Sequence, residues 1–187
     1  MNYFISDLHF GHFNIIGFDN RPFKNVEEMD TVLIENWNKT VCQDDTVYIL
    51  GDFSWYKADK TTEILKLLNG HKRLIKGNHD KFLHNADCKK QFESIVDYDE
   101  VVIDGRKVVL SHYPITFFNG HYYKGIHLYG HVHNSHEWDF VENTRLQLKE
   151  MDIPCDMYNV GCMIDYMNYA PRTLEEIINK TVDRSEV

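Results

Sequence analysis

Five short clusters in this 187-residue chain place carboxylates, imidazoles and an amide at the ends of apolar runs. In order they are Asp7-Leu8-His9, Gly51-Asp52, Gly77-Asn78-His79-Asp80, Ser111-His112 and Gly130-His131-Val132-His133. Residues two apart on an extended segment point to one side, so Asp7 pairs with His9 and His131 with His133. A carboxylate with an imidazole, or two imidazoles, on one side form a natural metal-ligand pair. Asp7, His9, Asp52, Asn78, His112, His131 and His133 offer seven donors besides His79, whereas a catalytic zinc takes about three protein ligands. Seven donors suit two divalent ions with one carboxylate between them. The mixture of nitrogen and oxygen favours manganese first, with iron, zinc or nickel as alternatives, over magnesium or calcium.

Two ions ~3.5–4 Å apart clamp an in-line displacement at phosphorus and stabilise both attacking and leaving oxygens. Water shared between them ionises near neutral pH, because one zinc already brings bound water to a pKa of ~7. The departing alkoxide then needs a proton, and an imidazole with an ordinary pKa of ~6.5 can supply it.

These residues must be positioned by the strands they terminate. Apolar runs at Tyr3–Ile5, Thr46–Leu50, Arg73–Lys76, Lys107–Leu110, Ile126–Tyr129 and Met157–Cys162 read as strands, and strand ends opening into loops are where α/β proteins keep their chemistry. Asn25-Val26-Glu27-Glu28 carries the N-cap and third-position acid of a capping box. Val26, Met29, Leu33 and Trp37 then recur at helical spacing. A second helix runs from about Ala58 to Leu68 and stops at Asn69-Gly70, and the segment from Asp80 to about Phe92 is helical. Ile95 to Leu110 forms a hairpin turning at Asp104-Gly105. Thr173-Leu174-Glu175-Glu176 caps a short C-terminal helix, and the tail beyond about Thr181 is loose. Residues 14–22 and the aromatic stretch 117–125 read as loops, the latter with His121, Tyr122 and Tyr123 lining the pocket.

The chain is 43% hydrophobic and 26% charged, which fits one domain over residues 1–187. Its formal charge of -9, from 29 acids and 20 bases, argues against binding long nucleic acid, which needs a dense basic footprint. No apolar run approaches the ~20 residues of a membrane span, and residues 1–7 read as a strand, not a signal peptide. Cys42, Cys88, Cys155 and Cys162 lack C-x-x-C spacing and read as free thiols. A cytoplasmic location is therefore expected.

D-x-H, G-D, G-N-H-D, an isolated H and G-H-x-H, in that order from Asp7 to His133, resemble the calcineurin-like metallophosphoesterase superfamily. The resemblance implies a four-layer αββα sandwich of two mixed β-sheets flanked by helices, with the metals at the C-terminal ends of the central strands. By position it assigns Asp7, His9 and His133 to one ion, Asn78, His112 and His131 to the other, and Asp52 to both. His79 stays off the metals, faces the substrate and is the imidazole expected to protonate the leaving group, with Asp52 and Asn78 as its catalytic neighbours. The implied activity is hydrolysis of a small phosphoester, nucleotide-like esters included, by a hydroxide shared between the ions. The compact branch without accessory domains favours diesters over monoesters. One departure stands out: phosphoprotein phosphatases of this superfamily carry G-D-x-x-D-R-G, whose second Asp orients the catalytic imidazole. Here the segment is Gly51-Asp52-Phe53-Ser54-Trp55, so a phosphoprotein phosphatase is not expected and Asp80 becomes the candidate to orient His79. His12 and Arg21 are the candidate substrate contacts. The alternative is a catalytically retired scaffold or interaction module on the same fold, which would be expected to lack the His79 imidazole.

Overall fold

The structure, a computed structural model, describes residues 1–180. The tail expected to be loose from Thr181 lies outside the described residues. The first sheet has strand order β4 (Ser94–Val96), β3 (His71–Ile75), β2 (Thr46–Ile49), β1 (Asn2–Ile5) and β9 (Arg172–Thr173). All its pairings are parallel except that of β9 with β1. The second sheet runs β5 (Tyr98–Ile103), β6 (Arg106–Ser111), β7 (Ile126–Tyr129) and β8 (Met157–Asn159), antiparallel only between β5 and β6. The helices are α1 (Phe13–Phe18), α2 (Val26–Thr40), α3 (Ala58–Leu67), α4 (Ala86–Lys89), α5 (His136–Glu150) and α6 (Leu174–Asn179). This is the expected fold, two mixed sheets flanked by helices.

Period-two alternation explains the layering. Val108 and Leu110 of β6 and Ile126 and Leu128 of β7 share the main core with Phe4, Ile5, Val47 and Leu74 of the first sheet. Their neighbours Val109 and Tyr129 face a second core with Leu148 of α5 and Met157 of β8. The runs of β1 and β2 are buried almost throughout, the mark of parallel strands covered on both faces. Met29, Leu33 and Trp37 of α2 lie four residues apart and are all buried, so the helix sends one stripe inward. Burying each such side chain contributes about 1.5–3 kcal/mol.

Several sequence expectations need correction. The hairpin begins at Tyr98, because β4 pairs with β3 and the chain changes sheets at Asp97. Its turn is as expected, with φ of 50° at Asp104 and 76° at Gly105. Two positive φ angles in succession match the twist of the flanking strands. Residues 14–22 are not all loop, since α1 begins at Phe13. Only half of the α2 capping box forms: Glu28 N–H donates to Asn25 Oδ1, while the Glu28 carboxylate accepts from Lys24 N–H. At α6 the box is complete between Thr173 and Glu176. No described helix is long and apolar enough to cross a membrane.

Candidate metal centre

Every expected ligand sits just beyond the C-terminal end of a strand. Asp7 and His9 follow β1, Asp52 follows β2, Asn78 and His79 follow β3, His112 follows β6, and His131 and His133 follow β7. Parallel pairing makes these ends converge. Backbone bonds then join neighbouring turns within each sheet: Asp7 N–H donates to Gly51 O (3.1 Å), His9 N–H to Asp52 O (3.0 Å) and Gly130 N–H to His112 O (2.9 Å). His131 N–H reaches the Asp7 carboxylate at 3.0 Å.

The turns are strained. Asp7, His9, Asp52, His131 and His133 all have positive φ, between 48° and 71°. For non-glycine residues this region costs roughly 1–2 kcal/mol each, and such outliers concentrate at functional sites. At Gly77 the requirement for glycine is one of space. A Cβ on Gly77 would overlap the Asp52 carboxylate and backbone.

The ligand atoms form two groups, Asp7 with His9 and His133, and Asp52 with His112 and His131, each within 4.8 Å. Asp52 addresses both: Oδ2 lies 3.6 Å from His9 Nε2 and Oδ1 lies 3.6 Å from His112 Nε2. His133 Nε2 lies 3.7 Å from Asp7 Oδ1, and the Nε2 atoms of His9 and His133 face each other at 3.2 Å. The carboxylate separations are too long for hydrogen bonds but fit two ligands of a shared ion, roughly 3–4 Å apart when each is ~2.1 Å from it. Asn78 Oδ1 joins the second group, 3.0 Å from His112 Nε2. The donor set thus fits divalent metal.

Protonation agrees. Burial, then His133, pushes His9 well below the ordinary imidazole range, and burial, then His112, lowers His131. Neutral imidazoles are the form that ligates. Burial pulls His133 down, but Asp7 and the bond to Asp19 outweigh it and hold it up. Burial raises Asp52, opposed by His112 and reinforced by Asp7.

The supporting residues differ from those expected. The structure corrects Arg21, whose side chain is fully buried. Its guanidinium donates to Leu8 O and Asp7 O, each at 2.9 Å, and to Asp19 Oδ2. It therefore holds the strained Asp7–His9 turn from beneath and does not face substrate. Asp80 is also corrected: its carboxylate accepts from Gly77, Asp52 and Phe53 N–H, not from the His79 ring. It fixes the two glycine-containing turns, and burial raises it to about 6. His79 lies beside the site with its backbone N–H on Asp52 Oδ1 at 2.9 Å.

A cleft of about 550 Å3 opens over the two groups, bordered by His12, Phe18, Trp55, His79 and Glu137 as well as ligands. No lysine or arginine borders it among the described residues. His12 is there as expected. His121, Tyr122 and Tyr123 are not: the His121 ring bonds Pro154 O at 3.0 Å, and Phe118 of that loop belongs to the second core.

The family model for calcineurin-like phosphoesterases matches residues 3–157. The chain belongs to this family. It is 37% identical to an uncharacterized protein of Methanocaldococcus jannaschii, over 99% of this chain and 93% of that protein. It is 42% identical to the gene 66 protein of Mycobacterium phage L5, over 42% of this chain and 39% of that protein. Among solved structures, a protein of unknown function from Aquifex aeolicus superposes with a TM-score of 0.72 at 30% identity, covering 97% of this chain and 99% of that one.

Family membership makes this a metal-dependent phosphoesterase. Sequence reasoning missed Asp19, which lies 2.8 Å from His133 Nδ1 across 114 residues and carries no motif. It also left Trp55 without a role.

Proposed function

We propose that this phosphoesterase holds two divalent ions, manganese by preference, and hydrolyses phosphodiesters. The reading is carried by one observation: the Asp52 carboxylate directs one oxygen toward each ligand group. Asp7, His9 and His133 would hold the first ion, Asn78, His112 and His131 the second, with Asp52 shared. When bound, such a pair ionises water near neutral pH and neutralises charge building on the phosphoryl oxygens. The chain's own residues do the rest. Asp19 and the Leu50 carbonyl accept from Nδ1 of His133 and His112, at 2.8 Å in each case, and thereby direct Nε2 of each ring inward. His79 protonates the leaving alkoxide, and His12 contacts the ester group that leaves.

Charge favours a diester over a monoester. A monoester dianion is commonly met by an arginine clamp, and no lysine or arginine borders this cleft among the described residues. A diester carries one negative charge and needs less. The expected compartment is the cytoplasm.

The test is hydrolysis of bis-p-nitrophenyl phosphate by EDTA-stripped protein with and without added Mn2+, against p-nitrophenyl phosphate. Metal-dependent turnover with the diester preferred is expected. Monoester preference would overturn the diester assignment, and no turnover on either would contradict the hydrolytic reading.

A further inference from the structure

We propose that Trp55 is a positioning residue for His79, holding by ring contact an imidazole that no carboxylate orients. The inference rests on the acid role of His79 proposed above. His79 Nδ1 is buried and has no hydrogen-bond partner. Its neighbour Asp80 is occupied by three backbone N–H groups. What touches the ring is aromatic: the Trp55 and His79 centroids lie 4.6 Å apart at 47°. On its other flank Trp55 lies parallel to His12, at 4.0 Å and 5°.

The tryptophan is itself well anchored. Trp55 N–H donates to Phe10 O at 2.8 Å, and Ser54 bridges Phe10 and bonds Thr61 Oγ1 at 2.9 Å. Residues 52–55 therefore carry two supports for His79. Asp52 accepts from its backbone N–H, and Trp55 packs on its ring. A ring contact of this kind restricts side-chain rotamers while leaving Nδ1 outside the hydrogen-bond network. Because misplacing a reacting group by ~1 Å can cost 10²-fold, loss of the prop should be felt in turnover and not in substrate capture. Trp55 is half exposed, so the competing role is direct stacking on substrate.

A double-mutant cycle separates the two. On diphenyl phosphate, whose leaving group needs a proton, Trp55→Ala should lower kcat about 10- to 100-fold with KM little changed. On bis-p-nitrophenyl phosphate the loss should be small, and Trp55→Phe should recover most of the rate. In the His79→Ala background Trp55→Ala should add nothing, because both act through one group. Relaxation of 13C-labelled histidine in metal-free protein should show the His79 ring ordered in wild type and Trp55→Phe but mobile in Trp55→Ala. Additive losses, a raised KM with kcat intact, or an equally ordered ring in Trp55→Ala would overturn the proposal. If His79→Ala itself leaves diphenyl phosphate turnover unchanged, the acid role fails, and the relaxation measurement alone then decides whether Trp55 holds the ring.

Discussion

His133 donates from Nδ1 to the Asp19 carboxylate at 2.8 Å, which leaves its Nε2 facing Asp7 Oδ1 at 3.7 Å. Asp19 is in turn bonded twice by Arg21, whose remaining N–H groups hold the backbone of Asp7 and Leu8. One buried acid and one buried base thus set the orientation of two candidate ligands from opposite sheets.

Asp19→Asn tests that relationship. It keeps an acceptor for His133 but removes the charge facing Arg21. Retention of metal under graded chelator should fall about 10- to 100-fold, with the His9 and His133 site emptied first. Unchanged retention would mean that His133 is oriented by something else.

Arg21→Lys should act on stability, not on substrate. A lysine cannot reproduce the planar fork to Asp19 and two carbonyls. Breaking a buried pair costs about 3–5 kcal/mol when one charge is removed, and the lysine variant should lose part of that. Urea unfolding should show the loss, while KM for a diester at saturating metal should stay within about twofold. A large rise in KM with stability intact would restore the substrate-contact role.

His127 gives a pH dependence free of the metal site. Its Nδ1 donates to Val109 O at 3.1 Å and its Nε2 accepts from Ile115 N–H at 3.0 Å. Burial lowers its pKa to about 4, against ~6.5 in the unfolded chain. Between those values the unfolded state binds a proton that the folded state refuses, so stability is full above pH ~6.5 and falls on acidification. Urea unfolding of metal-free protein should lose about 2–3 kcal/mol from this group between pH 7 and 4.5. His127→Gln, which keeps a donor and an acceptor, should show a correspondingly shallower slope. Identical slopes would contradict the assignment.

The candidate ligand clusters were legible because four of the five join an apolar strand to a glycine or an acid, and the fifth ends one in Ser111-His112, local patterns that survive without the fold. The same holds for the Asp104-Gly105 turn and the Thr173–Glu176 box. What escaped was set by contacts distant in sequence. α5 buries only Leu148, so its 15 residues carry little apolar periodicity to read. β9 is two residues long and exists through its pairing with Tyr3 and Phe4. Asp19 and Arg21 sit in a segment without periodicity, and only the closure of the two sheets brings them under the first ligand group.

Calorimetric titration of EDTA-stripped protein with Mn2+ tests most directly whether the Asp52 carboxylate serves two ions. Wild type should bind two ions per chain, and Asp52→Asn should weaken both together while the fold persists by circular dichroism. A variant that loses one ion and keeps the other at wild-type affinity, or a wild type that binds only one, would contradict a shared Asp52.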